Sequence, residues 1–178
     1  INPFFKFGKI IHAVLSFINR IYRDGNKSTL SIISNFYNNT FDYYYKNANL
    51  PYYEIVRQKS RGFKIIENYY NNKTHWLDKV LYVEHSFEYI IENCLIRGRY
   101  DLILQLNDGK VQIVDFKTGE MHPYLRTDFQ MQIYSLAGIE QLGLPIEQAV
   151  IYYVDSEKET NYKVSDEFLF EARTNLLN

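Results

Sequence analysis

Apolar residues recur at Ile10, Val14, Phe17 and Ile21, with Ile11, Leu15 and Ile18 beside them, which predicts a helix over Phe7–Arg23 with one broad apolar stripe. Asp24-Gly25-Asn26 stops it. A second helix is predicted from Ser28, a good cap, to about Tyr45, and a third from Pro51 to about Tyr70, with Gly62 as the weak point of the third. After Trp76 the period changes to that of strands: Val80 to Ile91, Leu95 to Leu106, and Lys110 to Thr118. A helix capped by Thr127 or Asp128 then runs through Ile133, Leu136 and Ala137 to Leu142, where Gly143 and Pro145 end it. A strand at Ala149 to Val154 and a last helix opened by Ser165-Asp166-Glu167 complete the pattern.

Composition narrows this to one domain. A chain of 178 residues with 46% hydrophobic and 23% charged residues can bury a sizeable core, which excludes disordered, collagen-like and coiled-coil classes. No apolar run approaches the roughly 18 to 20 residues of a membrane span, and the N-terminus lacks a signal-peptide layout, so a soluble cytoplasmic domain is expected. No repeat or long linker divides residues 1–178, and the start at Ile1 is expected of a piece excised from a longer protein. The 17 Tyr and 12 Phe fit the bias of an AT-rich genome and are discounted as a functional signal. Cys94, the one cysteine, permits neither an internal disulfide nor a four-cysteine metal site, and is expected to be a small buried apolar residue.

The net charge of −1 hides a segregation. Residues 1–80 carry twelve basic against five acidic side chains, and residues 81–178 carry eight against sixteen. A basic face on the first half and a cation-holding second half follow, with a mixed solvated surface as the alternative. Arg57, Arg61 and Lys64 fall at helical spacing on the third helix, as a phosphate track or a solvated face.

The segment from Arg99 to Lys117 carries the most chemistry. Two apolar strands flank Asn107-Asp108-Gly109. If the loop has three residues with Gly109 left-handed, Leu106 pairs with Lys110, Asp101 lies across from Asp115, and Lys117 shares the face of Asp115. A two-residue Asp108-Gly109 loop would instead place the carboxylates on opposite faces. Two carboxylates roughly 5 Å apart in a sheet repel, and a divalent oxygen-seeking cation neutralises them economically. A lysine two residues on can orient a water or offset charge developing on a phosphoryl group, although Asp-x-Lys is also met as a plain ion pair in a strand.

Gly98-Arg99-Tyr100-Asp101, Asp115-Phe116-Lys117-Thr118-Gly119 and Gln130-Met131-Gln132-Ile133-Tyr134, preceded by Gly8-Lys9-Ile10-Ile11-His12, resemble the RecB-type nuclease branch of the PD-(D/E)XK superfamily. The patterns occur in the family's order over roughly residues 7 to 145. The resemblance implies an α/β, restriction-endonuclease-like fold, a central mixed β-sheet flanked by helices on both faces. It also implies a metal-dependent DNA nuclease using Mg²⁺ or Mn²⁺, of the kind found C-terminal to a helicase in DNA repair and recombination, with single-stranded DNA ends as its partner. A catalytically silent nucleic-acid-binding or scaffolding domain of the same fold is the alternative.

Residue by residue, the resemblance makes His12, Asp101 and Asp115 metal ligands with the backbone carbonyl of Phe116, and Lys117 the catalytic lysine. Gln130 and Tyr134 would face the active site and the nucleic-acid backbone, Arg57 and Arg61 would contact nucleic acid, and Glu84 would be a further or supporting acid. The four-cysteine iron-sulfur cluster of some relatives cannot form within a chain whose one cysteine is Cys94.

Overall fold

The apolar stripe of the first helix is buried at Phe7, Ile10, Ile11, Val14, Leu15 and Ile18. A computed structural model, which describes residues 3–119 and 127–177, divides into two units, residues 1–78 and 79–178. The first unit holds α1 (Pro3–Arg23), α2 (Leu30–Tyr45), α3 (Tyr52–Asn72) and the short α4 (Thr74–Leu77). Gly25, at φ +75°, terminates α1, with the N–H of Asn26 returning to the carbonyl of Ile21. The cap of α2 is Thr29, whose hydroxyl accepts from the Ile32 N–H, and not Ser28, whose hydroxyl donates to the Thr29 carbonyl. Gly62 does not weaken α3 at random. A Cβ there would lie 2.3 Å from the Tyr37 hydroxyl, so the missing side chain lets Tyr37 of α2 reach the Lys59 carbonyl.

The second unit is a five-stranded mixed sheet in the order β1 (Val80–Ile91), β2 (Cys94–Gln105), β3 (Val111–Lys117), β4 (Ile146–Tyr153), β5 (Lys158–Lys163). Only the β3–β4 pair is parallel, and the crossover between them is α5 (Thr127–Leu142). The helix α6 (Asp166–Leu177) follows β5. Residues Val111 to Phe116 of β3 are all buried, as expected of a central strand covered on both faces. Ile103, Ile113 and Val111 meet Leu136 and Ala137 of α5 and Ala172 of α6 in one apolar cluster.

Two elements escaped the sequence pattern. The four-residue α4 is too short to show a period, and β5, Lys-Glu-Thr-Asn-Tyr-Lys, is a polar edge strand with no apolar alternation. Cys94 is exposed, correcting the expectation of burial, because it directly follows the β1–β2 turn, paired with Ile91. The side chain of Thr127, one of two expected caps, lies outside the described residues, and Asp128 stands in the first turn of α5. Among the described residues no helix is long and apolar enough to cross a membrane.

Candidate active site

The β2–β3 turn decides where the acids go. Gly109 is at φ +80°, its N–H donates to the Leu106 carbonyl, and the Leu106 N–H donates to the Lys110 carbonyl at 2.7 Å. Asp108 braces the loop by accepting from the Lys110 N–H. The three-residue loop therefore holds, and the ladder runs Gln105↔Val111, Leu104↔Gln112, Ile103↔Ile113 and Leu102↔Val114. One step further on are Asp101 and Asp115. There the ladder gives way, and the Asp101 carboxylate accepts from the Phe116 N–H at 2.8 Å in place of a backbone carbonyl.

The β1–β2 turn brings a third acid. Its register, Ile91↔Cys94 through His85↔Tyr100 and on to Val83↔Leu102, sets Glu84 opposite Asp101. Glu84 is at φ +51°, a left-handed backbone that disfavours side chains and breaks the strand's alternation. On the facing strand, Tyr100 and Ile103 both enter the cluster under α5, although they are three residues apart. A carboxylate oxygen of Glu84 and one of Asp101 lie within 4.8 Å of each other. Arg99 holds the Glu84 carboxylate at 2.7 Å.

Asp115 is 4% exposed and is gripped from two sides. Lys117 lies 2.7 Å from Asp115 Oδ2 and donates to Gln130 Oε1 at 2.8 Å, while Gln130 Nε2 donates to Asp115 Oδ1 at 2.8 Å. The three side chains close a ring in which a neutral amide fixes both charged groups. One turn later on α5, Tyr134 packs edge-on against Phe87 and Tyr100, and its carbonyl accepts from the Tyr100 hydroxyl. Burial, then the nearby Asp115 and Asp101, raise the Tyr134 hydroxyl above its ordinary pKa, opposed by its hydrogen bond with Gln130 and by Lys117.

Gly98 belongs to this packing. A Cβ there would lie 2.4 Å from Cζ of Phe87, so the motif glycine is the floor on which that ring rests. Thr118-Gly119 follow the end of β3, where Gly119, at φ +98°, donates its N–H to Asp155 Oδ2 at 2.7 Å. The second unit thus brings together Glu84, Asp101, Asp115, Lys117, Gln130 and Tyr134. Gln130 and Tyr134 are engaged with the acids, the lysine and the aromatic cluster. In the first unit, His12 is half-buried on α1, while Arg57 and Arg61 are exposed on α3. Arg57 pairs with Glu54 at 2.9 Å, and Arg61 stands 4.6 Å from the Phe7 ring centroid.

Arg99 and Asp155 were not expected. Counting back from a two-residue Glu92-Asn93 turn would have paired Glu84 with Asp101 and put Arg99 beside it. No local signal marks Asp155.

Glu84 and Asp101, whose carboxylate oxygens lie within 4.8 Å of one another, are hard oxygen donors that suit a divalent cation better than a soft metal, and Asp115 with Lys117 stands on the neighbouring strand.

A family model described as the PD-(D/E)XK nuclease superfamily matches residues 1–174, across both units. No curated protein matches the chain in sequence. Among solved structures, a Eubacterium rectale protein to which exonuclease activity is ascribed aligns with TM-score 0.52 at 13% identity, over 85% of this chain and 65% of that one. The chain therefore spans just under two thirds of that relative. A second structure, SSO0001, aligns with TM-score 0.38 at 19% identity over 78% and 69% of the two chains.

Proposed function

Since the chain belongs to the PD-(D/E)XK nuclease superfamily, with its five-stranded mixed sheet and flanking helices, we propose that it is a metal-dependent DNA nuclease. We place it in the RecB-type branch, as the nuclease module of a DNA-repair helicase-nuclease that receives single-stranded ends in the cytoplasm. The observation that carries the nuclease reading is the ring Asp115–Lys117–Gln130, with the Asp101 carboxylate bound to the N–H of the intervening Phe116. A plain ion pair in a strand needs neither the glutamine nor a second buried acid.

Both units act as one nuclease domain in this reading. Asp101, Asp115, His12 and the Phe116 carbonyl would hold the ion, and Glu84 would supply a further oxygen. Mg²⁺ or Mn²⁺ held by these residues would supply Lewis acidity toward the scissile phosphate and toward water. Lys117 Nζ orients the attacking water and offsets the negative charge that develops on the phosphoryl oxygens. Water oxygen bonds to phosphorus, the P–O bond to the leaving sugar breaks, and the water proton passes to solvent or to the leaving oxygen. Gln130 keeps Lys117 and Asp115 in mutual position, and the Phe116 N–H keeps Asp101 turned toward them. Arg57 and Arg61 contact the strand.

Incubation of the chain with end-labelled single-stranded DNA tests this. Cleavage with Mn²⁺ and none with EDTA is the expected result. Binding without cleavage under Mg²⁺ and Mn²⁺ alike would make the chain the silent module instead.

A further inference from the structure

The α3 face in the first unit carries a feature that phosphate contact alone does not explain. Among the described residues, Arg57, Gln58 and Arg61 line a pocket of about 250 Å³. Gln58 is 8% exposed, and its Nε2 donates to Glu54 Oε1 at 3.1 Å. A carboxylate only accepts, so this bond fixes which way the amide points. Its other end, Oε1, is buried with no hydrogen-bond partner in the protein. Such an acceptor is a standing cost that a bound donor would remove.

Two guanidinium groups beside an unpartnered acceptor suit a ligand that is an anion and also donates. Arg57 and Arg61 bring two guanidinium groups to the pocket, and the negative charge of Glu54 is engaged by Arg57, an arrangement that suits a single phosphodiester. The carboxyl of Glu54 is held below its ordinary value by hydrogen bonds from Arg57 and Gln58, so it keeps that charge near neutral pH. One turn before Arg57 on the same face, Tyr53 is 72% exposed and offers a flat ring. A ring for stacking beside a phosphate site suits a strand better than a lone phosphate ion. Free phosphate would use the guanidinium groups and leave the ring idle.

We propose that this pocket holds one nucleotide unit of a single strand, its phosphate on Arg57 and Arg61 and a base N–H on Gln58 Oε1. Oε1 has no exposed surface as it stands, so in this proposal the amide turns about its bond to Glu54 as the base arrives. The strand is then read at that position. The proposal rests on the nucleic-acid reading above.

Fluorescence anisotropy of the full chain in EDTA tests it, using a thymidine strand of about 12 nucleotides and an abasic strand of equal length, both within single-strand site sizes. Gln58→Leu is expected to weaken the thymidine strand roughly tenfold and to leave the abasic strand unchanged. Arg61→Gln is expected to weaken both alike and to reduce the salt slope by about 0.7. If Gln58→Leu does not fold, Gln58→Asn, which withdraws the amide by one methylene, is expected to show the same selective loss. Equal effects on both strands, or none, overturn the pocket while leaving nucleic-acid binding intact. Failure of the unaltered chain to bind either strand overturns both readings.

Discussion

Asp115 faces two donors at once, and this sets what its removal does. Asp115→Ala strips a partner from Lys117 and from Gln130, but Lys117 is 30% exposed and can turn to water. Hydrolysis is expected to fall by about 100-fold or more, with unfolding free energy changed by only about 1 kcal/mol, as cleavage assays and denaturant titration can check. Lys117→Ala is expected to stop turnover and leave Mn²⁺ affinity largely in place, because the oxygen donors remain. Loss of metal binding in a calorimetric titration would contradict that division of roles. Glu84 shows a different economy. Its left-handed backbone costs on the order of 1 kcal/mol, and it sets a carboxylate beside Asp101 that a regular strand would place elsewhere.

At the level of elements, two glycines make separable predictions. Gly98→Ala drives a methyl into the Phe87 ring and is expected to cost about 1–3 kcal/mol through the packing of Phe87, Tyr100 and Tyr134. Gly109→Ala meets no atom within 4 Å, so its cost is conformational, about 1 kcal/mol from the positive φ. The contact between β1 and α5 carries a pH dependence. The Tyr89 hydroxyl at 2.5 Å, and then Arg173, hold the Glu140 carboxyl below its ordinary value, while burial and Glu140 push Tyr89 up to about 12. A carboxyl lowered in the folded chain stabilises it above the unfolded value of about 4.3 and loses that contribution as pH falls through the folded value. Tyr89→Phe is therefore expected to lower the thermal midpoint at pH 7, with the gap to the unaltered chain narrowing below about pH 4.

The same elements show what the sequence made legible. Long apolar strands and helices could be read because burial imposes their period, and Val80–Ile91 and the end of α1 at Arg23 fall where the pattern puts them. The Asp101–Asp115 relation could be read because a glycine in a short loop fixes register. Glu84 could be read only as a weak candidate, since its place depends on a break in strand alternation that no local residue announces. Gln130 was legible as a motif position, but its grip on Asp115 and Lys117 needs the crossover to be drawn in space. Cys94 misled because its burial was inferred from residue type, and its position beside a turn decided otherwise.

For the whole molecule, the proposed cation site ties stability to metal. Mn²⁺ at about 100 times its dissociation constant is expected to stabilise the fold by about 2.7 kcal/mol. The rise in unfolding midpoint should vanish in Asp101→Asn, and a rise of equal size in that variant would place the ion elsewhere.

Because α5 both supplies Gln130 and forms the link that makes β4 run parallel to β3, the order of synthesis matters. A chain emerging from the ribosome can close the β2–β3 hairpin early, from neighbouring residues alone. Its amide clamp waits for the crossover to dock and for β4 to slot beside β3. A growing polypeptide halted before Gln130 therefore has both aspartates and the lysine in hand and no amide to align them, which would keep the proposed nuclease activity silent until the crossover is made.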